Sequence, residues 1–103
     1  MPRRLKSIMQ DEEECFICGR KGFLHVHHCL FGNKRSLADQ DGLWVYLCPS
    51  CHEIGKNAVH GSSAEGIRRK KQLQIYAQHC WEKYYGTREE FIERYGQSYI
   101  EEE

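Results

Sequence analysis

A chain of 103 residues has room for one domain, near the size at which a hydrophobic core alone becomes a marginal source of stability. Mean hydropathy is −0.75, no run approaches the ~18 consecutive apolar residues of a membrane span, and residues 1–14 lack the apolar stretch of a secretory signal. We therefore expect a soluble, cytoplasmic protein with no membrane partner. The formal net charge is zero but unevenly spread: residues 15–71 carry +5, residues 1–14 carry −1 and residues 72–103 carry −4. A basic middle of this kind suits a phosphate-bearing ligand, although a merely solvated basic surface gives the same count.

Residues 1–13 combine a cluster of Arg and Lys with an acidic run and show no periodicity, which predicts a flexible N-terminal arm. Cys15 and Cys18 follow, then a turn bearing Gly19 and Gly22. The alternation from Phe23 to His28 predicts a strand with Leu24, Val26 and His28 on one face and His25 and His27 on the other. The stretch 31–42 is rich in Gly, Asn, Asp and Ser and reads as a loop. Leu43 to Leu47 supplies a second strand that runs into Cys48 and Cys51, so the two strands form a hairpin with a cysteine pair at each outer end. Pro49 and Ser50 mark the start of a short helix limited by Gly55, and residues 56–61 read as irregular.

Beyond residue 61 the pattern turns helical. Ser62 with Glu65 makes a capping-box signature, and Ile67, Leu73, Tyr76, Ala77, Cys80, Trp81 and Tyr84 recur at spacings of three and four until Gly86. Thr87 with Glu90 repeats the signature for a short second helix closed by Gly96. The organisation expected is a flexible arm (1–13), a metal-bound core (14–61) and a C-terminal helical extension packed on it (62–100), together one small α+β zinc domain.

Six cysteines permit three disulfides, but four of them form two CxxC pairs, a spacing usual for zinc and uncommon for structural disulfides. The pairs are 29 residues apart, and each can occupy two corners of a tetrahedron once the hairpin brings them together. Cys15, Cys18, Cys48 and Cys51 are the expected ligands of one structural zinc. A redox role, or a mixed site in which His52 replaces a thiolate, is the competing reading. His27, His28, His52 and His60 are not needed for that site, and neutral imidazole binds most divalent transition ions, so they are candidates for a second one. Trp44, Tyr46, Trp81, Tyr84 and Tyr85 are expected to be packing residues rather than base-stacking ones, and Cys29 and Cys80 to be buried thiols.

The order Cys15-Phe16-Ile17-Cys18, His27-His28, Leu47-Cys48-Pro49-Ser50-Cys51-His52 resembles the HNH, or ββα-metal, endonucleases of the subgroup with two flanking CxxC pairs. The resemblance covers residues 15–60 and looks most like small phage-associated members, including recombination-associated nucleases. It implies a treble-clef hairpin and helix, and a metal-dependent DNA endonuclease or nickase. His28 would be the general base, and His27 and His52 would hold a divalent ion such as Mg2+, Mn2+, Zn2+ or Ni2+; His60 lies outside the minimal motif and is a candidate third ligand. Lys34, Arg35 and Lys56 would hold flanking phosphates, and the run Arg68 to Lys71 would extend that contact. The family usually places an Asn shortly before the second CxxC, where this chain reads Asp41-Gly42-Leu43-Trp44-Val45-Tyr46-Leu47; Asn33, Asp41 or a backbone carbonyl would have to substitute. The alternative is a non-catalytic treble-clef module that binds nucleic acid or a protein partner. Either a monomer or a homodimer is compatible with the sequence.

Overall fold

The computed structural model describes residues 6–30 and 34–100. Strand β1 (His25–His28) pairs antiparallel with β2 (Trp44–Leu47), in a register that sets His27 opposite Val45 and His28 opposite Trp44. The connection between the strands is not the expected plain loop, because it contains helix α1 (Arg35–Asp41). This helix ends where Gly42 takes a left-handed φ of 76° and Leu43 N–H returns to the Ala38 carbonyl. A side chain at Gly42 would be strained by that φ and would press on the Lys6 backbone. The Asp-Gly pair at the end of the expected loop is therefore a helix cap.

A single wide helical turn, Ser50–Ile54, follows β2, with Gly55 N–H closing on the Ser50 carbonyl five residues back. Helices α2 (Ala64–Tyr84) and α3 (Arg88–Tyr95) complete the chain. Their caps divide the expectations. Thr87 and Glu90 form the complete capping box, and Gly96 closes α3 with a φ of 86°. The cap of α2 is Ser63 rather than Ser62, accepting from Gly66 N–H, while Glu65 bonds Arg68 and Arg69 instead of reaching back to the cap.

The arm expected to be flexible over residues 1–13 is docked from Ser7 onward; residues 1–5 lie outside the described residues. Ser7 Oγ donates to Trp44 O, Ile8 N–H donates to Gly42 O, and Gln10 Oε1 accepts from Tyr46 N–H. Phe16 N–H also donates to Tyr46 O. The segment thus satisfies the outer edge of β2, which a two-stranded sheet would leave open. Met9 is buried with it.

One apolar cluster spans all these parts. It includes Met9, Leu30, Leu43, Val45 and Leu47 from the sheet region and Leu73, Ala77, Trp81, Phe91 and Tyr95 from the helices. The buried face of α2 is narrower than its periodicity suggests, since Ile67, Tyr76 and Tyr84 are exposed and the polar Gln78 is fully buried. Trp44 and Trp81 are packing residues as expected.

Asp41, at the end of α1, holds the helices to the sheet. Its carboxylate accepts from Trp81 Nε1 at 2.8 Å, Tyr95 Oη at 2.6 Å and Arg94 Nε at 2.7 Å, with Arg94 Nη2 on the second oxygen at 3.0 Å. Its backbone carbonyl accepts from Tyr85 Oη. A carboxylate so engaged is a structural group, so Asp41 does not fill the place of the Asn. Truncating one partner of a buried, hydrogen-bonded charge pair costs about 3–5 kcal/mol. Asp41→Ala should accordingly lower the urea midpoint steeply in zinc-loaded protein, whereas Glu65→Ala, on an exposed pair, should leave it within experimental scatter. Equal effects would remove Asp41 from this role.

Candidate metal centres

The cysteine pairs meet. The Sγ atoms of Cys15, Cys18, Cys48 and Cys51 all lie within 4.8 Å of one another, and Cys18 Sγ is 3.7 Å from Cys48 Sγ. Tetrahedral zinc with Zn–S bonds of about 2.3 Å requires an S···S edge of about 3.8 Å, whereas a disulfide requires about 2.05 Å. The donor set therefore fits one zinc ion. Local backbone bonds prepare it: Gly19 N–H donates to Cys15 O, Cys15 N–H to Arg20 O, and His52 N–H to Cys48 O. Burial opposes ionisation of Cys15, but backbone N–H groups of Cys18, Cys48 and Ile17 outweigh it and lower its pKa to about 6. Burial and the neighbouring thiols push Cys51 upward, an opposition to ionisation that a bound cation would offset. Cys29 and Cys80 are the buried thiols expected.

A second cluster is made of imidazoles. His27 from β1, His52 from the helical turn and His60 from the following loop present ring nitrogens within 4.8 Å of one another. Their rings meet edge-on, with centroids 4.6–5.3 Å apart. His60 is brought there by two backbone bonds, Val59 N–H to Cys51 O and His60 N–H to His52 O, which lay the loop alongside the helical turn. Burial, then the neighbouring His52 and His60, lowers the His27 pKa to about 3; burial, then His60, lowers that of His52 to about 4. Both rings are neutral at physiological pH, the state in which imidazole ligates a metal. His25 shares the face of His27, as alternation requires, and its Nδ1 is 2.8 Å from His52 Nδ1. His25, His52 and Glu53 form a further potential metal-binding group that shares His52 with the first.

His28 stands on the opposite face of β1. Its Nε2 is 2.8 Å from Asp39 Oδ1, and because a carboxylate only accepts, Nε2 carries the proton and leaves Nδ1 as the lone-pair nitrogen. Asp39 was not singled out by the sequence, and no local pattern marks it: its position opposite His28 exists only because α1 forms. Asn33, the other side chain considered for that place, lies outside the described residues. Lys34 begins α1 with its Nζ near Gly96, and Arg35 and Lys56 are exposed. The basic run divides. Arg68 and Arg69 both bond Glu65, and Arg69 also donates to Asn57 O, whereas Lys70 and Lys71 line a cleft. Among the described residues no helix is long and apolar enough to cross a membrane. No family model, curated protein or solved structure matches this chain.

Two outcomes are expected. Elemental analysis of the full chain should find a zinc that survives His27→Ala/His52→Ala and is lost with cooperative structure in Cys48→Ser, whereas metal bound beyond that one equivalent should be lost in His27→Ala/His52→Ala. The second concerns acid. Unfolded histidine takes up a proton near pH 6.5 while folded His27 resists it down to about 3. Stability is therefore full above pH 6.5 and falls as the pH drops below it, by up to about 1.4 kcal/mol per pH unit. The stability difference between wild type and His27→Gln, measured by urea at one equivalent of zinc, should shift against wild type at that slope. Parallel curves would mean that folded His27 titrates normally.

Proposed function

We propose that this chain is a metal-dependent phosphodiester hydrolase that acts on DNA, with a treble-clef frame of the HNH type. The observation that carries the reading is the convergence of His27, His52 and His60 beside a histidine, His28, that is held by a carboxylate. Three neutral imidazoles from three separate segments are a metal-ligand set, and structural packing alone gives no reason to gather them. The knuckle of Cys15 and Cys18, the strand pair and the helical turn bearing Cys51 and His52 support the frame.

A divalent ion on the three imidazoles would supply positive charge to the phosphate and to the departing 3′ oxygen. The protein's own groups do the rest. His28 Nδ1 accepts the proton of the attacking water as its oxygen bonds phosphorus and the bond to the 3′ oxygen breaks. Asp39 holds the ring so that Nδ1 is the free nitrogen, and it balances the imidazolium that forms. It thereby does for His28 what the missing Asn does elsewhere in the family. His28 leaves β1 on the face opposite His27, so base and metal would act on one phosphate from two sides.

The test is nicking of supercoiled plasmid with Mn2+ or Mg2+. Wild type should nick, His28→Ala should lose about 10²-fold or more, and Asp39→Asn should lose less. Loss of metal affinity should explain the defect of His27→Ala or His52→Ala, so added metal should restore part of it. If His28→Ala nicks normally and His25→Ala does not, the base is His25, which already touches His52. No nicking by folded, metal-loaded wild type would favour the binding module.

A further inference from the structure

Beside the three-imidazole cluster lies a second donor set that shares one of its rings. His25 Nδ1 is 2.8 Å from His52 Nδ1, Glu53 Oε1 is 3.8 Å from the same nitrogen, and ligand atoms of all three residues fall within 4.8 Å of one another. Local structure puts each of them there. Alternation along β1 sets His25 on the face of His27, at the start of the strand. The helical turn Ser50–Ile54 carries His52 and Glu53 in succession, and the exposed Phe23 ring meets His25 edge-on, with centroids 5.3 Å apart.

The two sets differ in depth and in donor chemistry. The inner one, His27, His52 and His60, is all nitrogen and includes a ring that is 1% exposed. The outer one replaces two of those imidazoles with the half-buried His25 and the exposed carboxylate of Glu53. Imidazole suits borderline ions such as Ni2+ and Zn2+, whereas a carboxylate open to water tilts a site toward hard ions such as Mn2+ and Mg2+. Octahedral ions with bonds of about 2.1 Å hold neighbouring donors about 3 Å apart, close to the 2.8 Å between the His25 and His52 nitrogens. Without a metal that short contact is a hydrogen bond through one shared proton, which a bound ion would displace.

We propose that His25, His52 and Glu53 form an outer position for a hard divalent ion, which competes with the inner position for His52. A neutral imidazole has one lone pair, so His52 ligates one ion at a time, whichever nitrogen it uses. Filling one position therefore deprives the other of its shared ligand. The inner position rests on the function proposed above, whereas the outer one stands on its own donors and requires no hydrolase.

The test uses the untagged full chain loaded with one equivalent of zinc, with free Mn2+ followed by its EPR signal and Ni2+ binding followed by calorimetry. Glu53→Gln, and separately His25→Ala, should weaken Mn2+ binding about ten-fold while changing Ni2+ binding less than about two-fold. His60→Ala should do the reverse. Ni2+ added to the Mn2+ form should release Mn2+ one for one. None of these three side chains is buried, and zinc content with thermal midpoint checks that each variant is folded. A wild type that binds no Mn2+ at millimolar concentration would overturn the proposal. So would parallel losses of both metals in Glu53→Gln and His60→Ala, or Mn2+ that stays bound once Ni2+ saturates. Ni2+ binding indifferent to His60, with Mn2+ still dependent on His25 and Glu53, would instead keep the outer position and overturn the three-imidazole one, so the two readings fail separately.

Discussion

Four sulfur atoms from two cysteine pairs 29 residues apart must come within a few ångströms of each other, and the placement of every candidate functional group follows from where they meet. The first pair sits on a turn whose backbone bonds to β2, and the second sits on the helical turn that β2 feeds directly. Bringing the pairs together therefore fixes that turn against the sheet and carries His52 to the face of β1 that bears His25 and His27. A two-stranded sheet is too small to hold such an arrangement by itself. Metal–thiolate bonds are strong enough to do so, because free energy of binding becomes free energy of folding when the site does not exist in the unfolded chain.

Asp41 solves a different problem. The thiol cluster lies at one end of the sheet and cannot hold two helices to the other side of the molecule. A buried carboxylate is costly to desolvate, and it is stable here only because an arginine, a tryptophan and a tyrosine from α2 and α3 all donate to it. Its location matters as much as its strength. Because Asp41 ends α1, the same bonds that dock α2 and α3 also hold the short helix that presents Asp39 to His28. A structural anchor, Asp41, and the candidate partner of the general base, Asp39, thus share one seven-residue helix.

The features that were legible in the sequence are those whose signal is local. The CxxC pairs, the alternation that separates His28 from His25 and His27, and the Thr87–Glu90 capping box each declare themselves within a few residues. Helix α1 does not, since Leu37 and Ala38 make one apolar turn, too short for a period of 3.6 to differ from a loop, and the surrounding Gly, Asn, Asp and Ser carry the stronger signal of a loop. The docking of Ser7 to Gln10 was hidden because the reason for it is the unpaired edge of β2, thirty or more residues away. Gln78 was hidden for a similar reason: a glutamine on an apolar helical face reads as a flaw until the backbone it satisfies, at Tyr99, has arrived.

His60 shows how a residue outside any compact motif can still be held with the accuracy a ligand needs. Its loop is tied on two sides. Toward the sheet, residues 59 and 60 bond the backbone of residues 51 and 52. Toward the helix, Arg69 donates to Asn57 O, Ser63 Oγ donates to Asn57 Oδ1, and Gly66 lets α2 approach the Ala58 carbonyl so closely that a Cβ there would collide with it. A larger residue at position 66 would push the helix away from the loop and loosen His60 without touching it. The same contact aligns α2 so that Lys70, one turn further on, lies beside the imidazoles. The histidine cluster and the start of α2 are therefore coupled through one glycine.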